Sequence, residues 1–561
     1  MCLLATTIFM ASAQPSWQWG KRGGSSDVDG GGNGETVVDM ATDQHGNVYV
    51  LSTMMQTGAN VDGHAIAEWG GVDVVISSFK CDGTYRWSKT IGGTQDDHGM
   101  ALRADTLGGV YVTGFLGTHF VTIHLDVDST FGTLTTYKSF YLLKYDTAGT
   151  YEWFRMPQPD TAGMSAYSYT VATDMDVDGA GNIYMLCSLY PGAYAGGAYI
   201  VPSLGYYMLV YDKNGNFLRG NPMQITNSGV SPLFKMKKDF QNGRCYLTGV
   251  HPFADTFSFG STQITSSQFV GCFDNSGILL WIRQGTDAAG FFSAFGRPAI
   301  DAQHNIYLAG RASVFDTFNT YAMSSGGSTA DPVVFKLDTN GNNIWGANAT
   351  VNGVTSCNSV VLNGSEVAIS GEYPGKLKWA GFPDSLDLPS GSGYHIFITT
   401  FDATTGNVLK LDSLASTTGD NNLATAMASD NLGNFYVGGN FSADLLVNGT
   451  TLSCVGGVSD FFVAKYGTSN CNLAMLETSS LPLPTTKTLV YPNPVTDELT
   501  IENASAGTTI RLLSIIGLQI YEGVIGNDKQ VINTGYLAAG TYLLQLTDNN
   551  GNRTTKTIVK Q

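Results

Sequence analysis

Charged residues are scarce in this chain and unevenly divided. Only 13% of the 561 residues are charged, with 46 acidic against 29 basic side chains and a formal net charge of −17. A protein that binds nucleic acid or an anionic membrane needs a basic field, so this balance argues against both partners. The 43% hydrophobic share is too high for a disordered chain. The composition therefore predicts an acidic, soluble, globular protein.

Several chemical signatures are also missing. The chain contains no Gly-x-Ser-x-Gly, no His-Glu-x-x-His, no Walker loop and no dinucleotide-binding glycine pattern. Its cysteines include no Cys-x-x-Cys, which argues against a zinc cage and leaves the disulfide pairing open. The eight histidines are scattered without metal-ligand spacing. The sequence thus predicts no catalytic residue and no cofactor, with one calcium alternative given below.

Long apolar runs are absent too. Residues 1–14 carry no charge and include Ala11-Ser-Ala13, the small-x-small pattern that a signal peptidase accepts. We expect an export signal there, although the basic region that usually opens one is missing. No later run reaches the ~18 apolar residues that a membrane-spanning helix needs. The sequence predicts an exported chain with no transmembrane segment.

Glycine and aromatic residues, by contrast, are plentiful. Glycine accounts for 68 residues and proline for only 17, and the chain is longer than one compact core usually requires. Tight turns joined by aromatic strands would produce this mixture. The composition and length favour an all-β array of repeated units.

A turn followed by a strand recurs roughly every 65 residues. Six clear copies carry a tyrosine in the strand, and a seventh, degenerate copy spans 364–369. The tyrosines are Tyr49, Tyr111, Tyr184, Tyr246, Tyr307 and Tyr436. Five copies have an aspartate before the turn, and its carboxylate can accept hydrogen bonds from turn amides and hold the hairpin closed. These aspartates are Asp43, Asp105, Asp178, Asp301 and Asp430.

A second motif alternates with the first. It is a glycine followed four residues later by tryptophan, as in Gly83 to Trp87, and it comes after a strand that is apolar on both faces. Clear copies end at Trp153, Trp281 and Trp345, while the copies ending at Arg219 and Lys410 have lost the tryptophan.

Counting the two motifs predicts the architecture. The first occurs seven times, whereas the second occurs only six times and is missing after the last strand, 460–466. The stretch that begins at Trp19 lines up with the one that begins at Trp87, so an N-terminal strand can complete the last repeat and remove the exposed edges of an open array. We therefore predict a closed seven-bladed β-propeller over 15–467.

The repeats resemble a bacterial family of seven-bladed β-propeller repeats, whose pattern combines an Asp-x-x-Gly-Asn-Val-Tyr-Val strand with an Asp-Gly-x-x-x-Trp turn. The resemblance covers most of the chain and implies the fold. It does not imply one function, because propellers serve as hydrolases, lyases, receptors and scaffolds.

The C-terminal end has a different composition. Residues 468–488 are rich in Ser, Thr and Pro, which is typical of a linker. Alternating strands then resume at 489–561 and predict a small β-sandwich.

These last residues resemble the type A C-terminal sorting domain of the type IX secretion system, found in Bacteroidota. The matching positions are Tyr491, Pro492, Asn493, Pro494, Gly517, Gly540, Tyr542 and Lys560, and Leu518 departs from the usual lysine. The resemblance implies recognition by the type IX machinery, followed by release or attachment at the cell surface.

One carboxylate cluster has two interpretations. Asp174, Asp176 and Asp178 alternate before Gly179, as oxygen ligands of Ca²⁺ can. However, the position that should supply a bidentate glutamate is Met185, and Asp178 is already the turn aspartate of its repeat. A structural role is the default and a calcium site is the alternative.

Three functions remain open. A non-enzymatic module that binds a protein or a glycan through one face of the propeller fits the low charge and the missing catalytic motifs. An extracellular polysaccharide hydrolase or lyase with dispersed carboxylates on that face is the alternative. A structural role in a surface layer or adhesion matrix is the third.

Overall fold

The structure is a computed structural model of the 561-residue chain. It describes residues 15–26, 35–55, 57–117, 122–126, 129–133, 139–157, 170–227, 233–249, 257–286, 294–312, 317–323, 330–353, 355–388, 393–416, 422–430, 432–456, 458–468, 471, 489–502, 506–514, 519–526, 529–547 and 553–561. The chain divides into two compact units, Met1–Asn472 and Leu473–Gln561. The expected export signal and nearly all of the expected linker lie outside the described residues.

The larger unit repeats one antiparallel four-stranded sheet, numbered here in chain order. Sheet 1 contains Val37–Thr42, Val48–Met54, Asp73–Phe79 and Tyr85–Gly92; sheet 2 contains His98–Ala104, Gly109–Leu116, Ser139–Asp146 and Tyr151–Arg155; sheet 3 contains Val171–Val177, Ile183–Leu189, Gly205–Tyr211 and Phe217–Pro222. Sheet 4 contains Phe234–Asp239, Arg244–Gly249, Phe269–Phe273 and Leu279–Gln284; sheet 5 contains Ala294–Phe295 and Ala299–Ile300, then Ile306–Ala312, Asp331–Leu337 and Asn343–Val351. Sheet 6 contains Ser356–Asn363, Glu366–Tyr373, His395–Asp402 and Val408–Leu414; sheet 7 contains Leu423–Ser429, Phe435–Phe441, Asp460–Gly467 and Ser16–Gly24.

The turn aspartates hold the first hairpin of their sheets, as the sequence predicted. In sheet 1, Asp43 Oδ1 accepts hydrogen bonds from the backbone amides of His45 (2.8 Å) and Asn47 (3.0 Å). Its Oδ2 accepts from the hydroxyl of the repeat tyrosine, Tyr49, at 2.9 Å. The tyrosine is fully buried, so the aspartate also satisfies a phenol that would otherwise lie unpaired in the core.

The motif tryptophans join each sheet to the next. Trp87 Nε1 on the fourth strand of sheet 1 donates to the Thr147 carbonyl in sheet 2, and its ring covers Gly149, where a Cβ would lie 2.7 Å from the indole. The same arrangement places Trp153 on Gly215, Trp281 on Gly341, Trp345 on Gly406 and Trp19 on Gly83. The glycine and the tryptophan of the second motif therefore contact each other across a sheet boundary.

The N-terminal strand lies in the sheet formed by the end of the unit. Ser16–Gly24 pairs antiparallel with Asp460–Gly467, with Trp19 opposite Lys465 and Gly23 opposite Phe461. Trp19 Nε1 then donates to the Cys81 carbonyl of sheet 1 at 2.8 Å. Sheet 7 therefore contacts sheet 1.

Short strands inserted after the second strand of a sheet reach back to the sheet before it. The pair Asn60–Val61 and His64–Ala65 extends Ser16–Gly24, the pair Thr122–Leu125 and Ser129–Thr133 extends sheet 1, and the pair Lys376–Trp379 and Leu386–Asp387 extends sheet 5. The remaining short strands are Gly192–Tyr194, Tyr199–Val201, Ile225–Asn227, Phe257–Phe259, Thr262–Gln263, Thr317–Phe318, Tyr321–Ala322, Asp444–Val447 and Thr450–Ser453. The first three pairs cover strand edges that would otherwise be open to another chain.

The smaller unit has two sheets around one core. One sheet contains Leu489–Tyr491, Glu498–Glu502 and Lys529–Asn533, and the other contains Gln519–Val524, Thr509–Ser514, Gly540–Thr547 and Arg553–Lys560. Aliphatic side chains from both sheets, including Leu499, Ile510 and Leu544, are fully buried between them.

The all-β prediction is confirmed, and the larger unit has a propeller fold built from the repeated sheet. Among the described residues, the helical structure is the 3-10 turn Ala195–Gly197. No described helix could therefore cross a membrane.

Candidate functional site

The first strands of several sheets surround a cavity of about 510 Å³. They bring charged side chains from distant parts of the chain to one place. The cavity is lined by Val38, Asp39, Met40, Arg103, Leu233, Lys235, Lys237, Gly249, 294–300, 358–362, 425–427 and Ser429. Sheets 1, 2, 4, 5, 6 and 7 all contribute to this lining.

Arg103 links three sheets at the cavity. Its guanidinium donates to Asp39 Oδ2 of sheet 1 at 2.5 Å and to Asp174 Oδ1 of sheet 3 at 2.6 Å. Burial opposes ionisation of Asp39, but Arg103 and two further cations outweigh it and hold its pKa below the usual value. Asp39 and Asp174 are therefore anchored between strands.

Arg297 and Lys237 hold the second carboxylate of sheet 3. Lys237 Nζ lies 3.1 Å from Asp176 Oδ2, and Arg297 Nη2 lies 3.3 Å from Asp176 Oδ1. Arg297 also reaches Asp174 Oδ2 at 3.3 Å, so sheet 5 is joined to sheet 3 beside the cavity. Burial opposes ionisation of Asp176, yet these cations hold its pKa far below the usual value. Burial lowers the pKa of Lys237, and nearby arginines lower it further while Asp176 raises it.

Lys235 differs from the other cations of the cavity. Its side chain is half-buried, and its charge is close enough to Asp39 to help lower the pKa of that carboxyl. Within the described part of the chain, its ammonium makes no salt bridge and no hydrogen bond. Among the described residues around the cavity there are thus four cations and three carboxylates, and Lys235 is the cation without an ion-pair partner.

The three aspartates proposed as a calcium site have other partners. Asp174 and Asp176 bind the cations described above, while Asp178 Oδ1 accepts from the amides of its own turn, including Asn182 at 2.8 Å. Across the described ranges, no three Asp, Glu, His or Cys side chains are grouped as metal ligands. Calcium binding at these residues stays a prediction.

The arrangement suits the binding of a small ligand. Cavities of this volume commonly hold ligands through apolar walls and a few fixed polar groups. Here Leu233 and Ile300 supply apolar surface and the cations supply the polar groups. The carboxylates Asp39 and Asp176 are held ionised by their partners, so they are poorly suited to donate a proton near neutral pH.

Sequence reasoning singled out Asp174 and Asp176 as candidate calcium ligands but missed the cations that bind them and the cavity beside them. Asp39, Asp174 and Arg297 stand at the same distance before the repeat tyrosines Tyr49, Tyr184 and Tyr307. A charged residue at one repeated position of an apolar strand was therefore a usable signal. Only the fold shows that these positions meet.

The sorting residues join the two ends of the smaller unit. Asn493 Nδ2 donates to the Thr557 carbonyl at 2.7 Å, and Asn493 Oδ1 accepts from the Val559 amide at 2.8 Å. The adjoining Val495 amide donates to the Val559 carbonyl at 2.8 Å. The segment from Pro492 to Pro494 is thus fastened to the last strand, which contains Lys560.

The other predicted sorting residues are placed separately. Tyr491 is 40% exposed and its hydroxyl donates to Glu502 at 2.6 Å. Gly540 and Tyr542 lie in the strand Gly540–Thr547, where the Tyr542 hydroxyl donates to the Ala538 carbonyl at 2.8 Å. Gly517 lies outside the described residues.

Comparison with known proteins identifies this unit. Residues 489–561 match the secretion system C-terminal sorting domain. The sorting domain indicates that the protein is exported by the type IX secretion system and is secreted or held at the cell surface.

A curated relative shares a short segment with this chain. An endo-acting ulvan lyase of Formosa agariphila is 35% identical over 72 residues, which is 12% of this chain and 14% of the lyase. The match thus spans about a seventh of the relative, and the activity of the lyase does not transfer with it.

Solved structures with similar chain courses are distant. The Dos1 propeller is 10% identical with a TM-score of 0.37 and covers 81% of this chain and 96% of its own. The quinohemoprotein alcohol dehydrogenase from Comamonas testosteroni is 11% identical with a TM-score of 0.36. The match covers 86% of this chain and 79% of the dehydrogenase. PorZ, a surface component of the type-IX secretion system of Porphyromonas gingivalis, is 11% identical with a TM-score of 0.18. The match covers 94% of this chain and 82% of PorZ. None of the three is similar enough to indicate function.

Proposed function

We propose that this protein is a closed seven-bladed propeller that the type IX secretion system delivers to the cell exterior, where it binds a protein or glycan without transforming it. The pairing of Ser16–Gly24 with Asp460–Gly467 and the contact of Trp19 with sheet 1 support closure. Closure removes both free edges of the array.

The cavity between the first strands is the proposed binding site. One observation carries this choice: sheets 1, 2, 4, 5, 6 and 7 bring charged and apolar side chains to a single space of about 510 Å³. The charged groups are held by partners from other sheets, as in the bridge from Arg103 to Asp39 and Asp174. A site whose groups are fixed before the ligand arrives loses less entropy on binding.

A polysaccharide hydrolase or lyase is the second candidate. A hydrolase needs a carboxylic acid that stays protonated near neutral pH, and burial raises the pKa of Glu372 to about 7. Glu372 is only 5% exposed and hydrogen-bonds Ser356, which places the acid away from bulk solvent. This burial favours the binding module over the enzyme.

One experiment separates the two candidates. The purified full chain is tested against arrays of bacterial and algal glycans and of peptides, and the bound classes are then incubated with the protein while chain length is followed by chromatography. Saturable binding with unchanged ligand supports the module. Cleavage that is lost in Glu372→Gln supports the enzyme, and an array without any binding overturns the module.

A further inference from the structure

Around the cavity, the described residues supply four cations and three carboxylates, so they carry one cation in excess. Asp39, Asp174 and Asp176 are engaged by Arg103, Arg297 and Lys237, whereas the described residues give Lys235 no ion-pair partner. The chain as a whole carries a formal charge of −17, so this local excess runs against its composition. A half-buried ammonium without a partner is costly unless a ligand or solvent supplies one.

The side chains around Lys235 indicate which chemical group would be attached to an anion bound there. Leu233, two residues before it, is 52% exposed at the cavity, and the half-buried Ile300 and Val361 provide further apolar lining. The aromatic ring in the lining belongs to Phe295, which is 2% exposed and so offers no open face. Sugar rings are commonly bound on exposed aromatic faces, and the described lining has none.

We propose that the cavity binds a single carboxylate attached to an apolar body, supplied by the C-terminal end of a peptide, with Lys235 as the residue that pairs with the carboxylate. The inference rests on the proposed binding function and names its ligand class. One net positive charge matches one carboxylate, and a charge-assisted hydrogen bond to a cation is stronger than a neutral one. Capture of a C-terminal carboxylate is also a recurring mode of peptide recognition.

The other cations of the cavity have a supporting role. Arg297 already reaches Asp174 and Asp176, so it extends over the cavity without being free to pair fully with a ligand. Lys237 is likewise committed to Asp176. Their carboxylate partners repel a second anion, which limits the site to a ligand of one negative charge.

The experiment uses isothermal titration calorimetry on the full chain. The probes are an acetylated tripeptide of two alanines and a leucine with a free carboxyl end, the same peptide amidated, and trigalacturonate. We expect the free acid to bind at least about tenfold more tightly than the amide, because only the acid pairs with Lys235. Lys235→Met should abolish this difference, Lys235→Arg should keep it, and Lys378→Met, at an exposed lysine outside the cavity, should leave it unchanged.

Several results would overturn the proposal. They are equal binding of acid and amide, a free-acid affinity that Lys235→Met does not lower, and tighter binding of trigalacturonate that depends on Lys235. Unaltered thermal unfolding of Lys235→Met establishes that the variant is folded, which is expected because the side chain makes no bond within the described chain. If ligands from the arrays still bind while the tripeptide does not, the peptide-end assignment fails and the binding function stands. If nothing binds, both fail.

Discussion

At the scale of single residues, the most unusual pair is two buried aspartates between sheets 1 and 2. Asp97 accepts from the amides of Gly93 and Gly117, both at 2.7 Å, and so ties the end of one sheet to the second strand of the next. Asp73 accepts from the Trp69 amide at 2.9 Å, and its Oδ1 has no partner among the described residues. Both carboxylates lie against Gly92, where a Cβ would meet them.

This pair makes stability depend on pH. Burial raises the pKa of Asp73 to about 8, with a smaller contribution from the charge of Asp97. Burial also raises the pKa of Asp97 to about 7. An unfolded aspartate titrates near about 3.9, so the folded state binds protons more tightly. The stabilisation is complete below about pH 4 and is lost as the pH rises through about 8. Asp73→Asn should therefore raise Tm at pH 8.5 and change it little at pH 4.

Scanning calorimetry from pH 4 to 9 measures this difference. At pH 8.5 the variant should gain on the order of a few kcal/mol, because one buried charge is removed and the new amide can donate toward Asp97. Asp384→Asn, at an exposed position, is the matched control and should keep the wild-type profile. A gain that is equal at all pH values would contradict the assignment.

At the scale of elements, one contact recurs between neighbouring sheets: a tryptophan packs on the turn glycine of the next sheet. Gly149 has a φ of +83° and lies under Trp87, whereas Gly108 in the same sheet has a φ of +96° and nothing within 4 Å of a Cβ. The two glycines share the left-handed backbone and differ in the ring above them. They allow the contact to be measured apart from the backbone strain.

Gly149→Ala should destabilise the larger unit more than Gly108→Ala. The strain of a positive φ costs both variants about 1 kcal/mol, and displacing Trp87 should cost Gly149→Ala about 1–3 kcal/mol more. Urea denaturation followed by tryptophan fluorescence measures both losses. Equal losses would show that the contact contributes little.

In the smaller unit, the corresponding contact is made by Asn493. Its side chain makes two exposed hydrogen bonds to the last strand, so Asn493→Ala should cost on the order of 1 kcal/mol, because water can replace both partners. We expect less protein in the medium and at the cell surface, because the machinery receives a less stable sorting domain. Immunoblots of cell fractions test this, with the exposed Glu498→Ala as the control. Normal export of a destabilised Asn493→Ala variant would show that export does not depend on the stability of the sorting domain.

At the scale of the whole molecule, one disulfide connects the start and the end of the propeller unit. Cys81 lies in the turn before the fourth strand of sheet 1, and Cys471 follows the last strand of sheet 7. The bridge spans 390 residues of sequence. It therefore fastens the place where sheet 7 contacts sheet 1, next to the segment that leads to the sorting domain.

Cys471→Ser should loosen this junction. A crosslink over a long loop commonly contributes about 2–4 kcal/mol, so Tm should fall, and the amides of Ser16–Gly24 and Asp460–Gly467 should exchange faster with deuterium. Cys454→Ser, which removes a cysteine outside the bridge, should keep the slow exchange. Slow exchange in Cys471→Ser would show that strand pairing alone holds the junction.

Local chemistry made much of this protein readable from its sequence. A turn needs its aspartate and glycine at fixed places in the chain, so the first hairpins and their bonds to Asp43 and its equivalents followed from spacing. The sorting domain was readable for the same reason, because its motif is contiguous at Tyr491 to Pro494. The missing seventh tryptophan turn also indicated where Trp19 would be needed.

The cavity and the disulfide were decided by tertiary structure. Asp39, Arg103, Asp174, Lys235 and Arg297 come from five sheets, and no spacing along the chain states which side of a first strand faces the common space. Cys81 and Cys471 were likewise two among many scattered cysteines until the chain brought them together. Interactions within a turn are encoded over a few neighbouring residues, whereas an ion pair across a cavity exists only after separate sheets have packed and excluded water from between them.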